Sequence, residues 1–292
     1  MADFSTRKVR SWKEFLLRKE EFTDRWVFRG QRDDWDLKSS LERCCEDFCI
    51  DLRRAPAIER NLIRDFRRGY SANDREIVIN DTLYCIALMQ HHGAPTRLLD
   101  WTYSAYIALF FALAAECRSP VLWCLNGNWC LRQAQIVAGR AAILERNSDE
   151  TRSEKTYASL YVADPPNQMV FLENPFLLNK RLTFQRGVFL CPGDISVPFE
   201  DNLKAMSGWN KRTSIRKLVL DLTARNRREI LSELNDMNIH HGSLFQDFDG
   251  YAQGFWQRLP FYQNMVKKRT VTKAPNKGLR ADGRPALRSG DR

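Results

Sequence analysis

Residues 90–112 read QHHGAPTRLLDWTYSAYIALFFA, and this run decides how the chain folds. An apolar helix pattern that Asp81 can cap ends in Gln90-His91-His92-Gly93. Pro95 follows, then Thr96-Arg97-Leu98-Leu99-Asp100-Trp101-Thr102. From Ser104 a second helix pattern begins, apolar on nearly every side. A helix apolar all round has to be covered on all sides. Polar groups set between two buried elements cost free energy unless they are paired or hold a ligand. The run therefore builds an internal hydrogen-bond network or shapes a site.

Outward from this run, the patterns alternate irregularly. Residues 12–20 read as a short helix and 25–28 (RWVF) as a strand ended by Gly30. Ser39 or Ser40 caps a helix running to about residue 54. Pro56 breaks it, and a further helix covers 57–70. Helices are expected over 81–93, 104–117 and 129–146, with Gly139 a weak point in the last, and a strand over 121–125. Residues 151–166 are polar and irregular. Short strands follow at 169–173, 181–185 and 188–191, with Arg186-Gly187 a tight turn or bulge between the last two. Residues 215–222 (IRKLVLDL) give the clearest strand; helices cover 224–238 and 244–258. Regular βαβ spacing is missing, so the expected class is α+β, a mixed or antiparallel sheet core with surrounding helices.

The chain has 292 residues, 43% hydrophobic and 11% aromatic, which describes a folded protein with a sizeable core. Its net charge of +10 is unevenly placed: residues 267–292 hold nine lysines and arginines against two aspartates, which leaves +3 for the rest. The organisation expected is one domain over residues 1–266 and a basic tail of disordered composition over 267–292. None of the eight cysteines forms Cys-x-x-Cys, so they read as reduced core thiols of a cytoplasmic protein. A zinc site from Cys44, Cys45, Cys49 and a distant histidine lacks the usual paired spacing, and no metal is expected. Residues 1–13 are charged and lack the apolar stretch of a signal peptide. The longest apolar run is too short to span a bilayer.

Four separated segments carry a family resemblance. They are Val27-Phe28-Arg29-Gly30-Gln31 with Trp35, Leu37 and Arg43; the run from Gln90 to Thr102; Arg181 to Phe189 (RLTFQRGVF); and Leu244 to Gly250 (LFQDFDG). Over residues 12–257 they resemble the FRG domain, found in bacterial and phage proteins and named for its Phe-Arg-Gly motif. Gln246 departs from it, where the family more often has proline. A second, remoter resemblance is to ADP-ribosyltransferases of the Arg-Ser-Glu type. Arg29 matches their first motif. Thr96, or Thr102 with Ser104, leads into Ala108-Leu109-Phe110-Phe111-Ala112 as the second, and Gln185 falls near the third. This likeness implies a transferase-like fold and NAD as substrate, in a toxin, defence or phage effector that modifies a macromolecule.

On that reading the catalytic candidates are Arg29, His91, His92, Asp100 and Gln185. The nucleotide-binding candidates are Arg29, Gln31, Gln90, Thr96, Arg97, Trp101 and Ser104. A guanidinium at Arg29 grips a pyrophosphate or ribose in fork geometry, or pairs with a core carboxylate such as Asp100. One of His91 and His92 caps a helix end while the other serves as acid or base, or both are structural. Arg97 and Asp100 pair if their segment is helical and face opposite sides if it is extended. Trp101 stacks on a nucleotide ring or fills the core. Gln185 can hydrogen-bond a ribose but carries no charge to stabilise an oxocarbenium-like transition state, so Glu173, Asp247 or Asp249 would have to supply it. Asp249 is otherwise a helix N-cap. The alternative is a module without chemistry that binds nucleic acid or an acidic partner through the basic tail.

Overall fold

The computed structural model describes residues 4–23, 25–71, 75–143, 154–174 and 180–245, with 252 and 255. Seven strands form one mixed sheet. They are β1 (Ser5–Val9), β2 (Trp26–Gln31), β3 (Leu99–Thr102), β4 (Val121–Asn126), β5 (Val170–Glu173), β6 (Gly187–Pro192) and β7 (Ile215–Leu220). Their order is β1-β7-β4-β2-β3-β6-β5. The β1–β7 pair is parallel and every other pair antiparallel. The α+β expectation holds.

Helices cover the sheet. On one side, α1 (Trp12–Lys19), α6 (Ala105–Leu113) and α11 (Ala224–Asp236) share a core with Phe28, Leu122, Cys124 and Leu218. The expected all-apolar helix is α6. Ser104 caps it, accepting from the Ile107 amide, and seven of its nine residues are buried. It lies against β2, β3 and β4 on one flank and α11 on the other, which is why it needs no polar face. The second core holds α5 (Thr82–His91), α7 (Gly127–Ala138), α8 (Glu154–Tyr161) and α10 (Phe199–Ala205) around Val27, Trp101, Trp123 and Leu190. To it α3 (Ala55–Gly69) and α4 (Arg75–Asn80) add Ile63 and Val78, while α2 (Ser40–Asp47) and a 3-10 turn (Leu52–Arg54) pack a smaller cluster around Leu41, Cys45, Ala55 and Ile195. Short helices α9 (Lys180–Phe184) and α12 (His241–Leu244) touch each other beside β6.

Several local expectations need correction. Residues 181–184 are helical, not a strand, and Gln185 begins the turn; five residues with one buried position, Leu182, cannot separate the two periods. The turn expected after them is present, with Arg186 in the left-handed region at φ 47°. Residues 151–166 are not wholly irregular: α8 buries Tyr157, Leu160 and Tyr161, a one-sided helical spacing. Helix α2 stops at Asp47 rather than near 54, and Pro56 sits in the first turn of α3, where its missing N–H costs nothing. Helix α7 ends at Gly139, whose φ of 89° a side chain rarely adopts. Helix α12 ends at Leu244, and the rest of the helix expected over 244–258 falls mainly outside the described residues, as does the basic tail. No described helix is long and apolar enough to cross a membrane.

Candidate functional site

The Phe-Arg-Gly strand and the 90–112 run meet at the β2–β3 pair. These strands share only one residue pair, Phe28 with Thr102, and then separate. Arg29 reaches across the separation: its Nη1 donates to the Asp100 carbonyl at 2.7 Å. A guanidinium thus takes the place of a strand neighbour. Phe28 points the other way into the α6 core, and Gly30 lies under α6. A Cβ on Gly30 would sit 1.8 Å from the Ala108 carbonyl oxygen, so the backbone of α6 approaches β2 closely there.

Where β2 and β3 part, a cleft of about 840 Å³ opens. Its floor includes Arg29, Gln31, Asp100 and Trp101; Trp35, Arg43, Phe111, Arg181 and Gln185 line its walls. Two buried donors on its residues, Arg29 Nε and Trp101 Nε1, have no hydrogen-bond partner in the structure. Burial pulls the Arg29 pKa down; Asp100 opposes this, while the Arg43 charge adds to it. Such a cation gains from a bound anion. Arg43 is itself held by donation to the Lys38 carbonyl at 2.6 Å. Trp35 stays 52% exposed on the wall, an available flat ring.

The expected site residues divide. Arg29, Gln31, Asp100, Trp101 and Gln185 come together in the cleft. Gln31 is engaged, accepting from Trp123 Nε1 at 2.8 Å. Gln185 donates to the Leu244 carbonyl at 3.2 Å, and its own carbonyl accepts from the Thr102 hydroxyl at 2.7 Å. Gln90 stands behind the cleft, donating to the Asp100 carboxylate at 3.0 Å and accepting from the Thr96 hydroxyl. Thr96 joins α2, its amide donating to Ser40 Oγ at 2.9 Å. Ser104 is the α6 cap. His91 and His92 are exposed, ring centroids 5.1 Å apart, and neither lines the cleft; His92 is the C-cap of α5.

Arg97 is elsewhere. It lies fully inside the protein, its Nε donating to both Glu59 oxygens at 2.8 and 3.0 Å, and Nη2 also to Glu59. Nη1 donates to the Tyr161 carbonyl at 3.1 Å, and the guanidinium lies over the Tyr157 and Tyr161 rings. Arg97 and Asp100 do not pair, as the extended alternative requires. Of the acids considered for transition-state charge, Glu173 is buried on Tyr161 at 2.5 Å, away from the cleft. Asp247 and Asp249 fall outside the described residues. Asp100 is the carboxylate beside Arg29. Arg43 and Arg181 belong to segments that carry the family resemblance, but no local pattern marked them as cleft residues; only the tertiary fold does. Among the described residues no group of three or more His, Cys, Asp or Glu is placed to hold a metal ion.

Fold and cleft together define an α+β protein with an aromatic-walled cavity at a parting in its sheet, lined by basic side chains (Arg29, Arg32, Lys38, Arg43, Arg181) and as many acidic ones (Asp34, Asp36, Glu46, Asp47, Asp100). Residues 24–120 match the model of the FRG domain, and that segment is similar to this family. The match contains β2, α2 to α6 and most of the polar cleft floor. No curated protein and no solved structure matches the chain.

Proposed function

We propose that the cleft binds NAD or a related nucleotide, and that the protein is an ADP-ribosyltransferase-like enzyme acting on a macromolecule. One observation carries the reading: two buried donors, Arg29 Nε and Trp101 Nε1, stand unpartnered on residues of one cleft. Buried donors without partners cost about 1–3 kcal/mol each, which a ligand acceptor recovers. Arg29 and Arg43 suit the pyrophosphate, and Trp35 offers its face to a planar ring. The volume lies within the range of small-molecule sites, about 300–1,000 Å³. Gln185 then bonds a ribose hydroxyl, and Asp100 supplies the negative charge that favours departure of nicotinamide.

The test is thermal melting of wild type and Arg29→Ala with NAD, ADP-ribose, ATP and inorganic phosphate. NAD is expected to raise the wild-type melting temperature and leave Arg29→Ala unmoved. Arg43→Ala, at an exposed position, is expected to weaken the shift about tenfold in ligand concentration. Absence of any shift in the wild type would sink the proposal. A shift with phosphate as large as with NAD would reduce the site to a simple anion pocket.

A further inference from the structure

A second groove, of about 780 Å³, shares no lining residue with the cleft. It runs between α3–α4 and the α8 end of the chain's second core. Its floor is aliphatic: Ile63, Ile79, Ala158 and Val162 line it. Ile79 is 44% exposed and Val162 51%, so their apolar surface is left open to water. Single exposed apolar residues are ordinary, but a grouped set along a groove marks a contact surface.

The rim is charged on one side. Arg60, Arg64 and Arg68 follow one another at four-residue steps on α3, about 6 Å apart along the helix, and Arg75 opens α4. All four are exposed and line the groove. Among the described residues Arg60, Arg68 and Arg75 make no ion pair, and Arg64 has only its neighbour Asp65 at 3.1 Å. The groove's acids are largely spent within the fold. Glu59 is held by Arg97, Glu154 lies 3.7 Å from Arg67, and Asp194 accepts from the Ser196 hydroxyl at 2.6 Å. Asp164, on the opposite lip, remains.

We propose that this groove docks an acidic, aliphatic amphipathic helix of a partner protein. Its leucine-like side chains enter the Ile63–Ile79–Val162 floor, and carboxylates at four-residue steps meet the α3 arginines. Helix-in-groove recognition has this division between apolar anchors and a flanking charge row. Nucleic acid is the poorer match: single strands bind by base stacking on open aromatic faces. Here the aromatic residues are Tyr157 and Tyr161, 9% and 4% exposed and covered by Arg97.

The test uses the full chain and a fluorescent amphipathic peptide of leucine and glutamate, read by anisotropy. Binding is expected, weakening as salt rises. The triple variant Arg60→Glu, Arg64→Glu, Arg68→Glu should weaken it about tenfold or more with an unchanged circular dichroism melt, because all three side chains are exposed. Val162→Asp should do the same from the floor, without touching the arginines. Equal affinity of wild type and triple variant would overturn the proposal. So would no binding to the wild type, equal binding of the leucine–lysine counterpart, or displacement by single-stranded DNA. Wild type eluting as a dimer that Val162→Asp separates would make a second copy the occupant and overturn it too.

Discussion

Gly30 and Glu42 show how much one position can decide. The glycine of the Phe-Arg-Gly strand exists because α6 crosses β2 at backbone contact: an added Cβ would meet the Ala108 oxygen at 1.8 Å and the Ala112 nitrogen at 2.7 Å. Neither neighbour is a side chain that can swing away. Gly30→Ala is therefore expected to cost about 3 kcal/mol or more, near the upper end for overpacking. A urea midpoint equal to wild type would show that α6 does not sit on β2. The motif thus divides its labour: Phe28 fills a core, Arg29 enters the cleft, and Gly30 admits the helix.

Glu42 is buried at the start of α2, and burial pushes its pKa up to about 7 despite acceptance from the Phe199 amide at 3.0 Å. Glu46 pushes the same way and Lys38 the other. The unfolded value is near 4.3. With the folded pKa above the unfolded one, the contribution is fully present below pH ~4.3 and is lost as pH rises through about 7. Glu42→Gln cannot ionise, so its melting temperature should gain on wild type between about pH 5 and about pH 8. A gap between the two proteins that stays constant across that range would contradict the assignment. The consequence reaches the cleft, because α2 also carries Arg43.

At the scale of elements, the Glu59–Arg97 pair ties α3 to the segment entering β3. Both side chains are almost wholly buried, so each needs the other. Glu59→Gln or Arg97→Met alone should cost about 3–5 kcal/mol by stranding its partner, whereas Glu59→Leu with Arg97→Met should cost far less. A double-mutant cycle by chemical denaturation measures the difference; additive losses would mean that the pair is not coupled. This ion pair also explains what the sequence could not show. Arg97 and Asp100 stand three apart in a polar run, and both look like site residues. Extension of β3 sends one to an internal carboxylate 38 positions away and the other to the cleft. Local pattern was enough for α6, whose apolar residues leave no solvent face, and for β7. It failed at α9 and β3, because stretches of four or five residues carry too few periods to separate helix from strand. Arg29, Asp100, Trp101 and Gln185 were readable as a set through motif order. Arg43 and Arg181 were not, since nothing local distinguishes a cleft arginine from a surface one.

At the scale of the whole molecule, the sheet order separates neighbours in sequence and joins strangers. β2 and β3 are adjacent in the sheet although about seventy residues apart, and the cleft lies where they part, so the site depends on a long excursion through α2 to α5 being folded. Both the cleft and the second groove take their walls from that excursion: α2 for one, α3 and α4 for the other.

The parallel edge pair has a consequence in time. Ser5 lies opposite Arg216, so β1 finds its partner only after more than two hundred further residues have been joined. At about 5–20 residues per second, a ribosome takes roughly 10 to 40 s to bring β7 out. For that interval β1 has no place in the sheet, while β2, β3 and β4 can already pair. The edge pair therefore forms only once β7 has been made, and a stalled or truncated chain that stops short of Ile215 would leave β1 unpaired.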